Sequence, residues 1–344
     1  MLSDTPPWGE GARPAAPRFD TEARFAFPDE DFAFYLDVTK SSWPGREPAW
    51  YDARLASDAQ ELPIHFLFHA SERAALEALA ELDPKRWCYV WSGGLWVLLH
   101  RFGARALPGV IRYAGAVPKV GAEVLARVDH TDVAEVMVWW LAVGGRSALE
   151  AWRWRRAHPA TFARGALPLL FAEKPRDRAA GAAALRLVDE DAITGVLGEL
   201  AAGPTREAAE AWLEAGRPIE RAGKAKPPKW APAAPEEALR AAPGDPGLAA
   251  LPVDALAAAA EGWAGDGKAR APGLWAPAAL LVADRDRFVE AVAAWGAAKN
   301  KNAVKLSLEL AEAMGNDAAL RALEPLLKGP YKRMVRERRA ALSG

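Results

Sequence analysis

Two segments of this chain follow one pattern. Residues 166–185, ALPLLFAEKPRDRAAGAAAL, and residues 323–342, LEPLLKGPYKRMVRERRAAL, each open on Pro-Leu-Leu: Pro168, Leu169, Leu170 and Pro325, Leu326, Leu327. Each carries an Arg eight positions after the Pro (Arg176, Arg333) and closes on Ala-Ala-Leu at Leu185 and Leu342. A looser third copy, ALPGVIRYAGAVPKVGAEVL, keeps the same interval from Pro108 to Leu125. In each span, residues at helical spacing are broken once by Pro or Gly, which predicts helix, break, helix. A helix pair of this length cannot bury its apolar face alone, whereas stacked copies can. The fold class expected is therefore all-α, a helical-repeat α-solenoid.

The regions between the copies divide the chain. Residues 1–63 carry prolines at 6, 7, 14, 17, 28, 44 and 48, before Pro63 itself, with Phe25, Phe27, Phe32, Phe34 and Tyr35 among them. Such a stretch reads as a less regular arm that docks by its aromatics, with one short helix near 49–57. Residues 64–215 hold the helical repeats. A helix starts after Ser71, its expected N-cap, with Ala74, Leu76, Leu79 and Leu82 as its apolar stripe. Further helices are expected over 132–143 and 147–156, the latter opened by Ser147 and Glu150 as a capping box, then over 189–201 and 205–215. Residues 216–252 bring eight prolines and the lysines 224, 226 and 229, a strap or linker with Trp230 as its anchor. Residues 253–344 return to helices, at 253–264, 273–283, 285–298, 302–313, 317–328 and 331–342. The Ala-rich runs of this half, such as AAGAAALRL, suit close helix contacts, since Ala is the strongest helix former.

Charge and cysteine content exclude several functions. Lys and Arg number 44 against 45 Asp and Glu, so no global basic field makes nucleic acid the default partner. The single Cys88 lies between Trp87 and Tyr89 in an apolar run. It precludes an internal disulfide framework and a Cys-rich zinc site, and it fits a reducing compartment. The start MLSDTPPWGEGARP lacks the basic and apolar regions of a signal peptide, and no run of about 18 apolar residues escapes a charge, Pro or Gly. A cytoplasmic protein without a membrane span is expected.

No residue set converges on catalysis. His65 and His69 stand four apart and would share a helix face, but no carboxylate accompanies them as a third metal ligand, and their rings read as packing beside phenylalanines. Asp129, His130, Thr131 and Asp132 place acid, base and hydroxyl side by side, yet adjacent residues on a turn do not converge, and Thr131 or Asp132 is the expected helix cap. Asp189, Glu190 and Asp191 fall where a helix begins and complement its dipole. Gly93-Gly94 and Gly144-Gly145 are too short for a dinucleotide or phosphate loop. The expectation is a protein with no enzymatic chemistry, no cofactor and no metal.

Two features stand above this background. Fifteen Trp residues are present, and Trp152, Arg153, Trp154, Arg155 and Arg156 interleave ring and charge, as a nucleic-acid surface would with Arg on phosphates and Trp on bases. The competing reading has Trp filling helix gaps while Arg reaches outward over the same core. The C-terminal segment gathers Lys328, Lys332, Arg333, Arg336, Arg338 and Arg339 against Glu337, which suits a terminal capping helix and also an acidic partner. The candidate interaction surface is therefore Trp152, Arg153, Trp154, Arg155, Arg156, Lys332, Arg333 and Arg336.

From about Trp87 to Leu213 the motifs RFGARALPGV and RWRRAHPATFARGALPLLFAEKPRDRAAGAAALRL, followed by KPPKWAPAAPEEALR and LPVDALAA, resemble the helical region of the bacterial MolR-like proteins. The resemblance spans roughly residues 85–344, with the His-Pro helix, the Pro-Leu-Leu helix, the Pro-rich strap and the terminal helix pairs in the same order. It departs at the ends: Trp43-Pro44-Gly45-Arg46 is not the WGR motif in context, and the family's further C-terminal domain has no counterpart here. It implies a HEAT-like scaffold and transfers no catalytic residue. The function expected is a non-enzymatic scaffold that binds another macromolecule, a protein first. Nucleic-acid binding through the Trp/Arg cluster is the alternative, and a HEAT-like DNA glycosylase the third reading.

Overall fold

The computed structural model describes residues 2–3, 6–9, 11–27, 37, 46–58, 63–81, 83, 92–143, 146–217, 219–220, 281 and 285–343. Helices dominate them. Two short ladders are the exceptions: β1 (Leu2–Ser3) pairs in parallel with β4 (Ile219–Glu220), and β2 (Arg24–Phe25) pairs antiparallel with β3 (Val128–Asp129). The helices expected over 253–264 and 273–283, most of the Pro-rich strap, and Trp87 and Cys88 lie outside the described residues, apart from buried Leu281. The described chain divides into two compact units, Asp20–Val136 and a second formed by Met1–Phe19 with Met137–Gly344.

In the first unit α1 (Pro48–Asp58), α2 (Phe66–His69), α3 (Glu72–Glu81), α4 (Ser92–Phe102), α5 (Leu107–Ala116) and α6 (Pro118–Leu125) close on a core of Tyr51, Leu55, Ile64, Leu67, Leu98 and Val110. Ser71 caps α3 as expected, its Oγ accepting from Ala74 N at 3.4 Å. Of the expected stripe Leu79 is buried and Ala74 and Leu76 are partly so, Leu82 lies outside the described residues, and Ala75 and Ala78 are buried as well, because α3 packs against α1, α2 and α5 at once. Gly93-Gly94 does not break α4, which runs through both as a buried helix. Phe27 joins this core edge-on to Trp96 at 5.7 Å.

Helix α7 (Thr131–Val143) is capped by the side chain of His130, not by Thr131 or Asp132. The His130 Nδ1 accepts from Asp132 N at 3.2 Å, while the Thr131 hydroxyl is taken by Thr21 Oγ1 at 3.0 Å. An imidazole does here what Ser or Asp does at most helix starts, because the hydroxyl next to it is already engaged.

The second unit contains α8 (Arg146–Ala157), α9 (Pro159–Leu170), α10 (Pro175–Arg186), α11 (Glu190–Gly198), α12 (Pro204–Glu214), α13 (Arg285–Ala297), α14 (Lys301–Ala313), α15 (Asp317–Leu323) and α16 (Pro330–Ser343). Ser147 lies within α8, so the expected capping box does not form, and Glu150 turns to Arg153 at 3.1 Å. Helix, break and helix fill the copy at 106–125 and, with the last turns of α9, the copy at 166–185, whereas 323–342 holds only the last residue of α15, a turn and α16, and the Pro does different work in each. Pro108 opens α5, Pro168 sits in the last turn of α9, and Pro325 falls in the turn after α15. In the first full copy α9 and α10 pack tightly, because a Cβ at Gly181 would come within 2.8 Å of the Leu170 nitrogen. The N-terminal arm docks on this unit through Trp8, stacked on Phe171 at 6.2 Å with the Arg178 guanidinium 5.1 Å from its ring. Thr205 Oγ1 also donates to Ala15 O at 2.8 Å.

Candidate functional site: an arginine-lined cleft

The two rings of the interleaved cluster are buried. Trp152 and Trp154 are only 0% and 2% exposed, so neither indole can stack on a base. Trp154 packs at 4.8 Å from the His158 ring, and the Arg155 guanidinium lies 5.1 Å over Trp152. Arg153 bridges Glu150 at 3.1 Å and Glu312 at 3.2 Å, tying α8 to α14. The competing reading, rings inward and charges over them, describes this helix.

The basic C-terminal helix is also neutralised, by acids from outside its own sequence. Arg338 meets Glu312 at 2.8 Å and Glu309 at 3.2 Å; Arg339 meets Glu324 at 2.5 Å and Asp317 at 3.1 Å; Arg336 meets Glu324 at 2.9 Å. The paired Arg336 and Arg339 hold the Glu324 carboxyl below its ordinary range. Arg333 stays on the exposed face with Glu337 at 3.6 Å, and Lys332 is half-buried. The sequence set Glu337 alone against these cations, whereas the fold brings four further acids from α14, α15 and the turn after α15.

A different site lies where helix ends converge within the second unit. A cleft of about 480 Å³ is lined by Arg155, Arg156, Arg186 and Arg217, with Asp189, Glu190, Leu187, Val188, Pro159 and Met314 completing its wall. Arg155 and Arg156 come from the last turn of α8, and Arg186 is the last residue of α10. Arg217 stands two residues past the cap of α12, fixed by a paired turn in which Gly216 N donates to Leu213 O and Arg217 N to Trp212 O, both at 3.0 Å.

The end of α14 closes with the same turn. Gly315 N donates to Glu312 O and Asn316 N to Ala311 O, each at 2.8 Å, with Gly315 at φ 68°. A Cβ there would sit 3.3 Å from the Arg156 guanidinium, so glycine supplies both the left-handed conformation and the space for the arginine. Asn316 then caps α15, its Oδ1 accepting from Ala319 N at 2.9 Å.

Three of the four arginines are committed to main-chain oxygens. Arg156 Nη1 donates to Ala313 O at 2.9 Å and Glu312 O at 3.1 Å, Arg155 Nη1 to Leu187 O, and Arg217 Nη1 to Val188 O at 3.0 Å. Arg217 also reaches Glu190 at 3.0 Å. Carbonyls exposed at helix ends carry partial negative charge, so cations collect there. Arg186 is the exception. It is 9% exposed, and its Nη1 has no acceptor among the described residues. Burial, and after it the nearby Arg217 charge, push this guanidinium below the ordinary arginine range. Of the sequence candidates, Arg155 and Arg156 reach the cleft; Arg186 and Arg217 were missed. Their signal was present, a cation ending a helix and another following Ala-Gly, but a basic helix end is so common that it points to no site.

The His65–His69 pair lies elsewhere. Tyr51 stacks on His69 at 5.1 Å, His65 packs at 5.2 Å from Phe66, and no group of three metal-ligating side chains occurs among the described residues. Likewise, no described helix is long and apolar enough to cross a membrane. Comparison with known proteins finds no matching family model, no matching curated protein and no matching solved structure.

Proposed function

We propose that the protein is a non-enzymatic helical scaffold, cytoplasmic, that binds a protein partner and takes an acidic group of that partner into the arginine-lined cleft. In this reading the helix pairs stack in the HEAT-like manner of MolR-like helical regions. The observation that carries it is Arg186, a buried cation lining an open cleft with no acceptor among the described residues for its Nη1. A buried charge without a partner is costly, and a ligand that neutralises it recovers that cost. The burial of Trp152 and Trp154 weighs against nucleic acid, since it removes the stacking platform and leaves Arg153 bound to two glutamates.

The test compares partners recovered from the protein's own cell by the intact chain and by an Arg186→Gln, Arg217→Gln double variant, alongside binding of labelled single- and double-stranded DNA. The expected result is a protein recovered only by the intact chain, and DNA binding that is absent at physiological salt. DNA binding that falls steeply with salt, and disappears on charge reversal at Arg153, Arg155 and Arg156, would replace this reading with the nucleic-acid one. Release of a base from damaged DNA would make it the glycosylase reading.

A further inference from the structure

We infer that the group bound in the cleft is a single carboxylate, held by Arg186; this rests on the cleft being the partner-binding site proposed above. The charge around the cleft selects a monoanion. Four guanidinium groups face two acids, Asp189 and Glu190, which leaves a formal excess of two positive charges. The ends of α8, α10, α12 and α14 bring roughly half a negative charge each, against a similar positive fraction from each of the starts of α9 and α11, so the effective excess is close to one. A phosphate dianion would overshoot it. Donor supply points the same way. Arg155, Arg156 and Arg217 already donate to carbonyl oxygens, and Arg217 to a glutamate as well. One guanidinium fork remains, and a planar carboxylate fits one fork with two parallel hydrogen bonds.

The walls suit a side chain as well as its charged end. Leu187, Val188, Pro159 and Met314 surround the arginines, and about 480 Å³ exceeds what a bare ion fills. Nη1 is itself sealed from solvent, so binding turns the guanidinium about its last torsion toward the cleft it already lines. Two sources supply this chemistry: a Glu or Asp side chain, and a free chain terminus.

The experiment uses the full chain labelled with ¹⁵N and follows the arginine Nε–H resonances, with the Arg186 signal identified as the one lost in Arg186→Gln. Acetate, inorganic phosphate, the capped peptide Ac-Gly-Glu-Gly-NH₂ and a peptide with a blocked N-terminus and a free C-terminus are titrated at low ionic strength. Acetate and at least one peptide should shift the Arg186 signal saturably, and the tighter peptide identifies the source. Arg186→Gln should weaken peptide binding by ~10-fold or more, and Arg186→Lys, which keeps charge but loses the fork, should fall between. Arg164→Gln, outside the cleft, should leave binding unchanged, and backbone amide resonances of Arg186→Gln that are unaltered away from the cleft show that its fold is intact. Phosphate binding at least ~10-fold tighter than acetate overturns the single-carboxylate assignment while the cleft reading stands. No response of Arg186 to any probe overturns the assignment; if the cellular partner also survives the double variant, the cleft reading falls with it.

Discussion

Two arginine clusters within one unit of this protein are built on opposite terms. Arg153, Arg336, Arg338 and Arg339 meet Glu309, Glu312, Asp317 and Glu324, so helices α8, α14, α15 and α16 are tied by matched charges. Arg155, Arg156 and Arg217 instead donate to helix-end carbonyls, and Arg186 beside them has no hydrogen bond to another described residue at Nη1. A matched cluster is complete in itself and holds the fold. An unmatched one leaves attraction to spare, and that difference, rather than the count of arginines, separates a structural junction from a binding site.

Unbalancing the matched side should have the largest effect. Glu312 is shared by Arg153 and Arg338, and its side chain is 16% exposed. Glu312→Gln keeps the shape and leaves two part-buried cations with weaker partners, so a loss of about 2 kcal/mol is expected in denaturant unfolding. A loss below about 0.5 kcal/mol would mean that the cluster is surface decoration.

Gly315→Ala strikes where the two clusters meet, since Arg156 from the cleft lies against the turn that ends α14. An alanine held at φ 68° and a displaced guanidinium should together cost about 1–2 kcal/mol. Arg186→Met should act with the opposite sign: it removes a buried unmatched charge, so stability should rise by about 1 kcal/mol while peptide binding is lost. Unchanged stability with binding intact would place Arg186 with the matched cluster after all.

Which parts of this were legible in sequence follows from the range of the interactions involved. Helix positions depend on nearby residues, so α1, α12, α13, α14 and α16 fall within a few residues of their expected places, and Asn300 and Asn316 cap their helices from three residues away. Caps already fail where a distant residue intervenes, as Thr21 does by engaging Thr131 across 110 positions. The site was less legible still. Trp152 and Arg153 are adjacent, yet the ring is buried while the charge is spent on Glu312 of α14, 159 residues away. Arg186 and Arg217 become a pair because two helix ends converge, which no spacing in the chain encodes.

The smallest expected effects, read from pH, separate the clusters most cleanly. Folding lowers the Glu324 carboxyl below its ordinary 4.5 through the hydrogen bonds from Arg336 and then Arg339. The unfolded chain therefore takes up the proton first, so this contribution is complete above pH 4.5 and is lost as pH falls through the lowered value. Glu324→Gln should flatten that part of the stability profile. His65, in the other unit, behaves differently: burial, then the nearby His69, lowers its imidazole from 6.5. The folded state favours the neutral ring, so this contribution is complete above about pH 6.5, declines as pH falls from there to the lowered value, and is constant below it. His65→Gln should remove that earlier decline and leave the acid one. Arginines do not titrate across this range, so Arg186→Met should move the whole profile upward without changing either slope. A change of slope below pH 4.5 in that variant that vanishes in the Arg186→Met, Glu324→Gln double variant would show that the cleft and the matched cluster are coupled through Glu324, and would end the distinction between them.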